Sequence, residues 1–234
     1  MRHANFENLR QTGAVLQPSK DAAFCTKVAA VSMHAPNDIL FFEGDAAEHV
    51  FKVHQGTICL YKLMADGRRQ VARFCYPGDF FGLAGSDAYA YTATALTDTQ
   101  TFQIKRRDLE DEIERNSAAR DIVFEALEKK MSAVQHQILL LGRKTAVERV
   151  ASFLVALSKQ ASLQNDGGCL IELPMRRADI ADYLGLTVES VCRILKRLKD
   201  AGIVTIPHAH RIELRDLETL KFIADGDEGN NSIT

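Results

Sequence analysis

The stretch from Asp179 to Leu198 constrains this chain more than any other. Ile180, Ala181 and Leu184 share one face of a first helix. Gly185 stands where a helix C-terminus favours a left-handed residue. Leu186 follows as a buried turn residue, and Thr187 has the hydroxyl that an N-cap needs. Val191, Ile194, Leu195 and Leu198 then recur at the helical period and form one apolar face. Glu189, Arg193 and Lys196 fall close to the opposite face, flanked by Ser190 and Arg197. Two short helices joined in this way form a helix-turn-helix, whose second helix enters the major groove of DNA. The chemistry agrees. A guanidinium such as that of Arg193 matches O6 and N7 of guanine, and a carboxylate such as that of Glu189 accepts from N4 of cytosine. An acidic side chain is otherwise unfavourable against a polyanion. Any amphipathic hairpin with a charged outer face has the same spacing, so the rest of the chain has to decide.

The whole chain of 234 residues carries a net charge of only -2, so any nucleic acid must be met by a local basic patch. Arg193, Lys196, Arg197 and Lys199 supply one, opposed by Glu189 and Asp200, and Arg176 and Arg177 lie just before the first helix. Apolar residues make up 46% of the sequence, ample for real cores. The five cysteines, Cys25, Cys59, Cys75, Cys169 and Cys192, include no C-x-x-C pair and resemble no disulfide framework. Reduced thiols in a cytoplasmic protein are expected. No secretory h-region follows the opening residues, and no apolar run approaches the roughly 18 residues of a membrane span, so no membrane partner is expected.

In chain order, residues 1 to about 30 read as a leader, with a short helix expected from about Lys20 to Met33. From Pro36 to Gln103 short β-rich runs alternate with turns: Glu43-Gly44-Asp45, Gln55-Gly56, Asp66-Gly67 and Pro77-Gly78-Asp79. The strands are expected over Ile39–Phe42, Val50–Val53, Thr57–Leu63, Gln70–Phe74, Ala90–Ala95 and Thr99–Ile104. That spacing points to a sandwich, barrel or jelly roll. Helices follow over about Arg107–Glu114 and Ser117–Leu141. In the second, Phe124, Leu127, Met131, Val134, Ile138 and Leu141 alternate by three and four residues, an a/d seam of coiled-coil type. A helix packed on its own domain is the other explanation. Dimerisation is favoured, because a helix-turn-helix reading a palindrome needs a two-fold partner. Another amphipathic helix spans Thr145–Gln160, and Gln164 to Gly168 reads as a flexible turn. A strand follows over Cys169–Leu173. After the helix-turn-helix, Ile203–Ile206 and Arg211–Leu214 form a wing around Pro207 to His210. Asp216–Ala224 is a last helix, and the tail from Asp225 has a disordered composition.

The Glu43-Gly44-Asp45 and Gln55-Gly56 turns, Pro77-Gly78-Asp79-Phe80-Phe81-Gly82 and the helix from Thr187 to Leu198 together resemble the CRP/FNR superfamily of bacterial transcription regulators, over about residues 25 to 225. The resemblance implies an α+β chain in three parts. An N-terminal double-stranded β-roll like a cyclic-nucleotide-binding domain would occupy 1–115, a long dimerisation helix 116–142, and a C-terminal winged helix-turn-helix 143–234. It implies a non-enzymatic homodimer that binds double-stranded DNA and recruits RNA polymerase.

The usual signals of that family are missing. Where cyclic-AMP binders have Gly-Glu-Leu and a downstream Arg, this chain has Phe81-Gly82-Leu83-Ala84 and Ala88-Tyr89-Ala90-Tyr91-Thr92-Ala93, which leave ribose and phosphate unanchored. The N-terminal cysteine cluster that ligates iron–sulfur in oxygen sensors is reduced to Cys25. No cofactor is expected. The alternative is a regulator gated by an effector or haem in the β-roll, where His34, His49, His54 and Cys75 are the residues able to ligate iron. The remaining pattern resembles the FixK group, with Val188 before Glu189 as in FNR-type helices. That resemblance implies a TTGAT inverted repeat, with Glu189 and Arg193 reading bases and an apolar Val188 able to meet a thymine methyl. Thr187, Ser190, Arg197 and His210 are candidate phosphate contacts, which fix register. FNR-type helices have Ser immediately before the Arg, and this chain has Cys192. Cationic neighbours and a helix N-terminus favour a thiolate, so Cys192 is a candidate redox switch of DNA binding.

Overall fold

The computed structural model describes residues 29–83, 85–164 and 170–226. Most of the leader, the 165–168 turn and the tail after 226 lie outside the described residues. The chain divides into two compact units, with the boundary between Met131 and Ser132.

In the first unit, glycine-punctuated strands pair into two antiparallel sheets. The strands are β1 (Ala29–His34), β2 (Ile39–Phe41), β3 (His49–Gln55), β4 (Ile58–Leu63), β5 (Arg69–Cys75), β6 (Phe80–Phe81), β7 (Thr92–Ala95) and β8 (Thr99–Lys105). One sheet runs β1-β8-β3-β6 and the other β2-β7-β4-β5. Alternation along β3 explains why this strand reads as almost wholly apolar. Phe51 and Val53 join Phe41, Ile58, Leu60, Phe81 and Tyr89 in the main core of the roll. Val50, one residue out of phase, joins Phe80, Ile104, Leu109 and Ala119 in a second cluster. Two helices, α1 (Arg106–Arg115) and α2 (Ser117–Arg143), follow the last strand. Ile122, Val123 and Ala126 of α2 pack against the second cluster.

The sequence expectation fails in three places here. Residues Ala29 to Met33, expected to be the end of a helix, lie in β1. Pairing with β8 from Ala29↔Ile104 to His34↔Thr99 decides it, aided by the Ser32 hydroxyl donating to Gln103 Oε1 at 3.1 Å. Strand β6 was not expected. It has only two residues and exists because Phe81 and Phe80 find Phe51 and Lys52 across the sheet. The strand expected from Ala90 begins at Thr92.

The second unit contains α3 (Ala146–Gln164), β9 (Leu170–Glu172), α4 (Arg177–Leu184), α5 (Val188–Asp200), β10 (Val204–His208), β11 (Arg211–Leu214) and α6 (Leu217–Asp225). Strands β10, β11 and β9 form an antiparallel wing sheet. Phe153 and Leu154 of α3, Ile180 and Leu184 of α4, and Val191, Leu195 and Leu198 of α5 are all buried. Both helices of the helix-turn-helix thus spend their apolar faces on the core, and α5 turns Glu189, Arg193 and Lys196 to solvent. Arg177, expected before the first helix, is its first residue, with Arg176 as N-cap.

Gly56, in the β3–β4 turn, tests the roll. Its φ is +88°, and an added Cβ would lie 2.4 Å from Thr99 Oγ1 and 2.5 Å from Asp98 O. At Gly67, φ is +84° but nothing lies within 4 Å. Gly56→Ala should cost about 3 kcal/mol or more and Gly67→Ala about 1 kcal/mol, compared by urea unfolding. Equal losses would mean that backbone conformation alone, and not contact with Thr99, decides.

Candidate nucleic-acid interface

The reading helix is fixed at its start by local hydrogen bonds. Gly185 adopts φ 62° and ψ 41°, the left-handed conformation that ends α4, and Leu186 N donates to Ala181 O at 3.0 Å. Leu186 is only partly buried in the turn. Thr187 then caps α5, its Oγ1 accepting from Ser190 N at 3.1 Å and its hydroxyl donating to Ser190 Oγ at 3.0 Å. Val188, Glu189, Cys192, Arg193 and Lys196 are exposed on one side of the helix, and Ser190 and Arg197 are half-buried at its borders. Glu189 and Arg193 approach only to 3.9 Å, with side chains 85% and 65% exposed. So open a pair is cheap to separate, which leaves both groups available to a partner. Arg193 Nη2 also reaches Ser190 Oγ at 3.5 Å.

His210 is at the wing. Its Nδ1 contacts Leu173 O at 3.1 Å, and Leu173 N donates to His210 O at 2.8 Å. A carbonyl only accepts, so Nδ1 carries the proton and donates. Nε2 is then the nitrogen left for a phosphate, and it carries a hydrogen only in the imidazolium form.

Arg177, read from the sequence only as part of the basic patch before the first helix, has a more specific place in the structure. It is half-buried, and its Nη1 is shielded from solvent without a hydrogen-bond partner among the described residues. Burial holds its guanidinium below the ordinary value, while Cys192 acts in the opposite direction. Arg177 at the start of α4 and Cys192 in α5 therefore belong to one neighbourhood. The adjacent arginines at 176 and 177 were the available signal, but only the fold distinguishes the capping Arg176 from Arg177.

The candidate seam on α2 is mostly uncovered. Phe124 is 62% exposed, Met131 61% and Ile138 65%, and Leu127, Val134 and Leu139 are also exposed. Leu141 differs. It is partly buried, and a Cβ at Gly185 would lie 3.5 Å from its Cδ2. The end of α2 thus packs within the second unit.

The roll is filled by rings. Phe41 and Tyr89 stack at 3.7 Å, and Phe51 and Phe81 at 5.1 Å. The Tyr89 hydroxyl donates to His49 O at 2.8 Å and accepts from His49 N at 3.2 Å. A cleft between β5, the 78–80 turn and α2 measures about 30 Å³, room for a water rather than a nucleotide. It is lined by Arg73, Asp79, Glu125 and Lys129, and Arg73 is paired with Asp79 at 2.8 Å. Of the candidate iron ligands, His34 is half-buried and contacts Thr101 Oγ1 at 3.0 Å, and Cys75 is fully buried. His54 packs 5.1 Å from the Phe102 ring. Among the described residues no three His, Cys, Asp or Glu side chains gather as a metal site, and no helix is long and apolar enough to cross a membrane.

Residues 33–116 match the cyclic nucleotide-binding domain, and residues 148–223 the Crp-like helix-turn-helix domain. The nitrogen fixation regulation protein FixK of Rhizobium meliloti is 34% identical over 195 residues, which is 83% of this chain and 87% of that protein. The chain belongs to the CRP/FNR family of transcription regulators. FixK of Azorhizobium caulinodans is also 34% identical, covering 88% of this chain and 83% of its own. The solved structure of FixK2 from Bradyrhizobium japonicum matches with a TM-score of 0.77 and 36% identity, over 84% of this chain and 97% of that one. The regulator therefore has the expected α+β architecture, a β-roll followed by helices and a DNA-binding helix-turn-helix.

The two environments of cysteine predict different reactivity. Burial pushes the Cys75 thiol up to about 12, whereas Cys192 is exposed. Iodoacetamide at pH 8 should label Cys192 and spare Cys75 in the native protein, by peptide mapping. Equal labelling would mean that the roll opens readily.

Proposed function

We propose that the chain is a cytoplasmic homodimer that activates transcription from a TTGAT inverted repeat. The reading rests above all on α5, which is capped by Thr187 and presents Val188, Glu189 and Arg193 to solvent above a buried apolar face. Arg193 reads guanine through a bidentate fork, Glu189 accepts from cytosine, and Val188 meets a thymine methyl. Thr187, Ser190, Arg197 and His210 hold phosphates and set register. Each recognition helix occupies one of two successive major grooves.

A second copy covers the α2 seam. Leaving Phe124, Leu127, Met131, Val134 and Ile138 in water forfeits their burial energy, and a matching seam recovers it. Leu141 lies beyond the part of the seam open to a partner. In this reading residues 1–115 are a sensor-like roll, 116–142 the dimerisation helix and 143–234 the DNA-binding part. The bound dimer recruits RNA polymerase, and the chain does no catalysis and holds no cofactor. Transcriptional activators such as FnrL of Cereibacter sphaeroides, 30% identical over 92% of this chain and 88% of that protein, support the choice of activation. Gating by haem or another effector is the alternative, and it would require the Phe41–Tyr89 stack to open. A Soret band in the purified protein would favour it.

Cys192 is the proposed point of control. Peroxide transfers an oxygen to the thiolate sulfur and leaves as hydroxide, giving a sulfenic acid, and a second equivalent gives a sulfinate. Bulk and negative charge then sit beside Arg193 and Arg177 at the face meant for phosphates.

Two outcomes are expected. Arg193→Ala should cost about 1–3 kcal/mol per half-site in a gel shift and relax the preference at guanine. Equal loss on specific and random DNA would contradict a base-reading role. Peroxide should weaken binding of wild-type protein and leave Cys192→Ser unaffected. Oxidised wild-type protein that binds as well as reduced protein would remove the switch.

A further inference from the structure

Arg149, on the first turn of α3, has three interactions that its place in an amphipathic helix does not require. Nε donates to Lys144 O at 2.9 Å, Nη2 to Leu141 O at 2.9 Å, and Nη1 to Leu184 O at 3.0 Å. Leu141 is in the last turn of α2, and Leu184 is the final residue of α4. Carbonyls in a last helical turn have no partner within their own helix. A guanidinium there satisfies them with charge-assisted bonds and meets the negative end of each helix dipole. One side chain thus clamps the ends of two helices and the link that follows α2.

The place of the clamp gives it a consequence for DNA reading. Gly185 follows Leu184, and two residues later Thr187 caps the recognition helix. A Cβ at Gly185 would lie at ordinary contact distance, 3.5 Å, from both Arg149 Nη1 and Leu141 Cδ2, so both side chains border the turn, and it is the left-handed φ of 62° that favours glycine. A second bond runs the same way. Gln137 Nε2 of α2 donates to Tyr183 O of α4 at 2.9 Å. Residues 137 to 143 of α2 and the helix-turn-helix lie in the same compact unit.

The geometry points to Arg149 as the positioning residue that fixes the separation of the two recognition helices, and thereby the spacing between half-sites that the regulator accepts. This rests on the proposal that α2 is the dimer axis. If α2 of each copy lies on the two-fold axis, the direction of α5 relative to α2 sets the distance between the two α5 helices. Half-site spacing is a geometric property of such a dimer. Arg149 itself touches no base.

The test uses the full-length protein and inverted TTGAT repeats whose spacer is lengthened or shortened by one and two base pairs, together with a duplex holding one half-site. Wild type should favour one spacer. Arg149→Met should bind that repeat about tenfold more weakly, within the usual range of coupling between sites. Its affinity for the other spacers should fall less, so that the profile flattens, and its half-site affinity should be kept. Arg149→Lys, which retains charge but loses the fork, should fall between the two. Gln137→Met, at a half-buried position where the side chain contributes one bond to Tyr183 O, should flatten the profile in the same direction, with its urea unfolding midpoint measured alongside. Uniform loss by Arg149→Met on every duplex, half-site included, would mean a folding role and overturn the proposal. A sharp, unshifted profile in both variants would overturn it too, as would a wild type indifferent to spacer. Wild type that binds TTGAT repeats no better than random DNA would overturn the underlying DNA-site reading instead.

Discussion

A helix that stops must dispose of carbonyls that its own turns no longer satisfy, and α4 stops within a few ångströms of the end of α2. The left-handed Gly185 turns the chain, and the Arg149 fork takes up Leu184 O and Leu141 O together. Two helix C-termini, each the negative end of its dipole, are joined by one cation. The reading face follows from this junction. The turn is held on one side by Leu141 and Arg149 and on the other by the Thr187 cap, so α5 leaves it in one direction. Val191, Leu195 and Leu198 then fix its rotation by burial, and Glu189 and Arg193 are left facing solvent.

The roll matches the cyclic nucleotide-binding domain over residues 33–116, and its core is filled with its own rings. Phe41, Phe51, Phe81 and Tyr89 stack where the two sheets meet, and Tyr89 is tied at its hydroxyl to both backbone groups of His49. Aromatic packing of this kind is directional and dense, so a ligand entering it must first displace a ring. On the outer side, Lys130 donates to Leu83 O at 3.0 Å, and burial lowers its ammonium below the ordinary value. A lysine held there by a backbone carbonyl ties α2 to the segment that would carry the ribose anchor in a nucleotide-binding relative.

What was legible in the sequence was local. The hairpin glycines, the Gly185 turn, the Thr187 cap and the apolar face of α5 each depend on residues within one or two turns, and each lies where the spacing placed it. What was not legible depended on distant partners. Ala29 to His34 carries no strong period of its own and becomes a strand only beside β8. Phe80 and Phe81 are too few to announce a strand. Leu141 continues the arithmetic of the α2 seam, yet it is drawn against Gly185, more than 40 residues away in sequence. Arg149 drew no notice and Arg177 counted only toward a basic patch, because nothing in their sequence neighbours names the carbonyls or the thiol near them. The exposed polar residues of α5 could be picked out by their chemistry, and the residues packed behind them were visible only in three dimensions.

The second unit is closed by its last helix. Leu220 and Ala224 of α6 are buried, and the Lys144 ammonium, just before α3, donates both to Ser152 Oγ at 2.8 Å and to Ala224 O at 2.6 Å. The start of α3 and the end of α6 are therefore tied to each other. During synthesis α3 emerges early but has no α6 to pack against until Ala224 has cleared the ribosome. The β-roll and the α1 and α2 residues packed on it are all in place by Met131, before the second unit is made. The nascent chain thus has the first unit's contacts available early, while the second unit waits for its last helix.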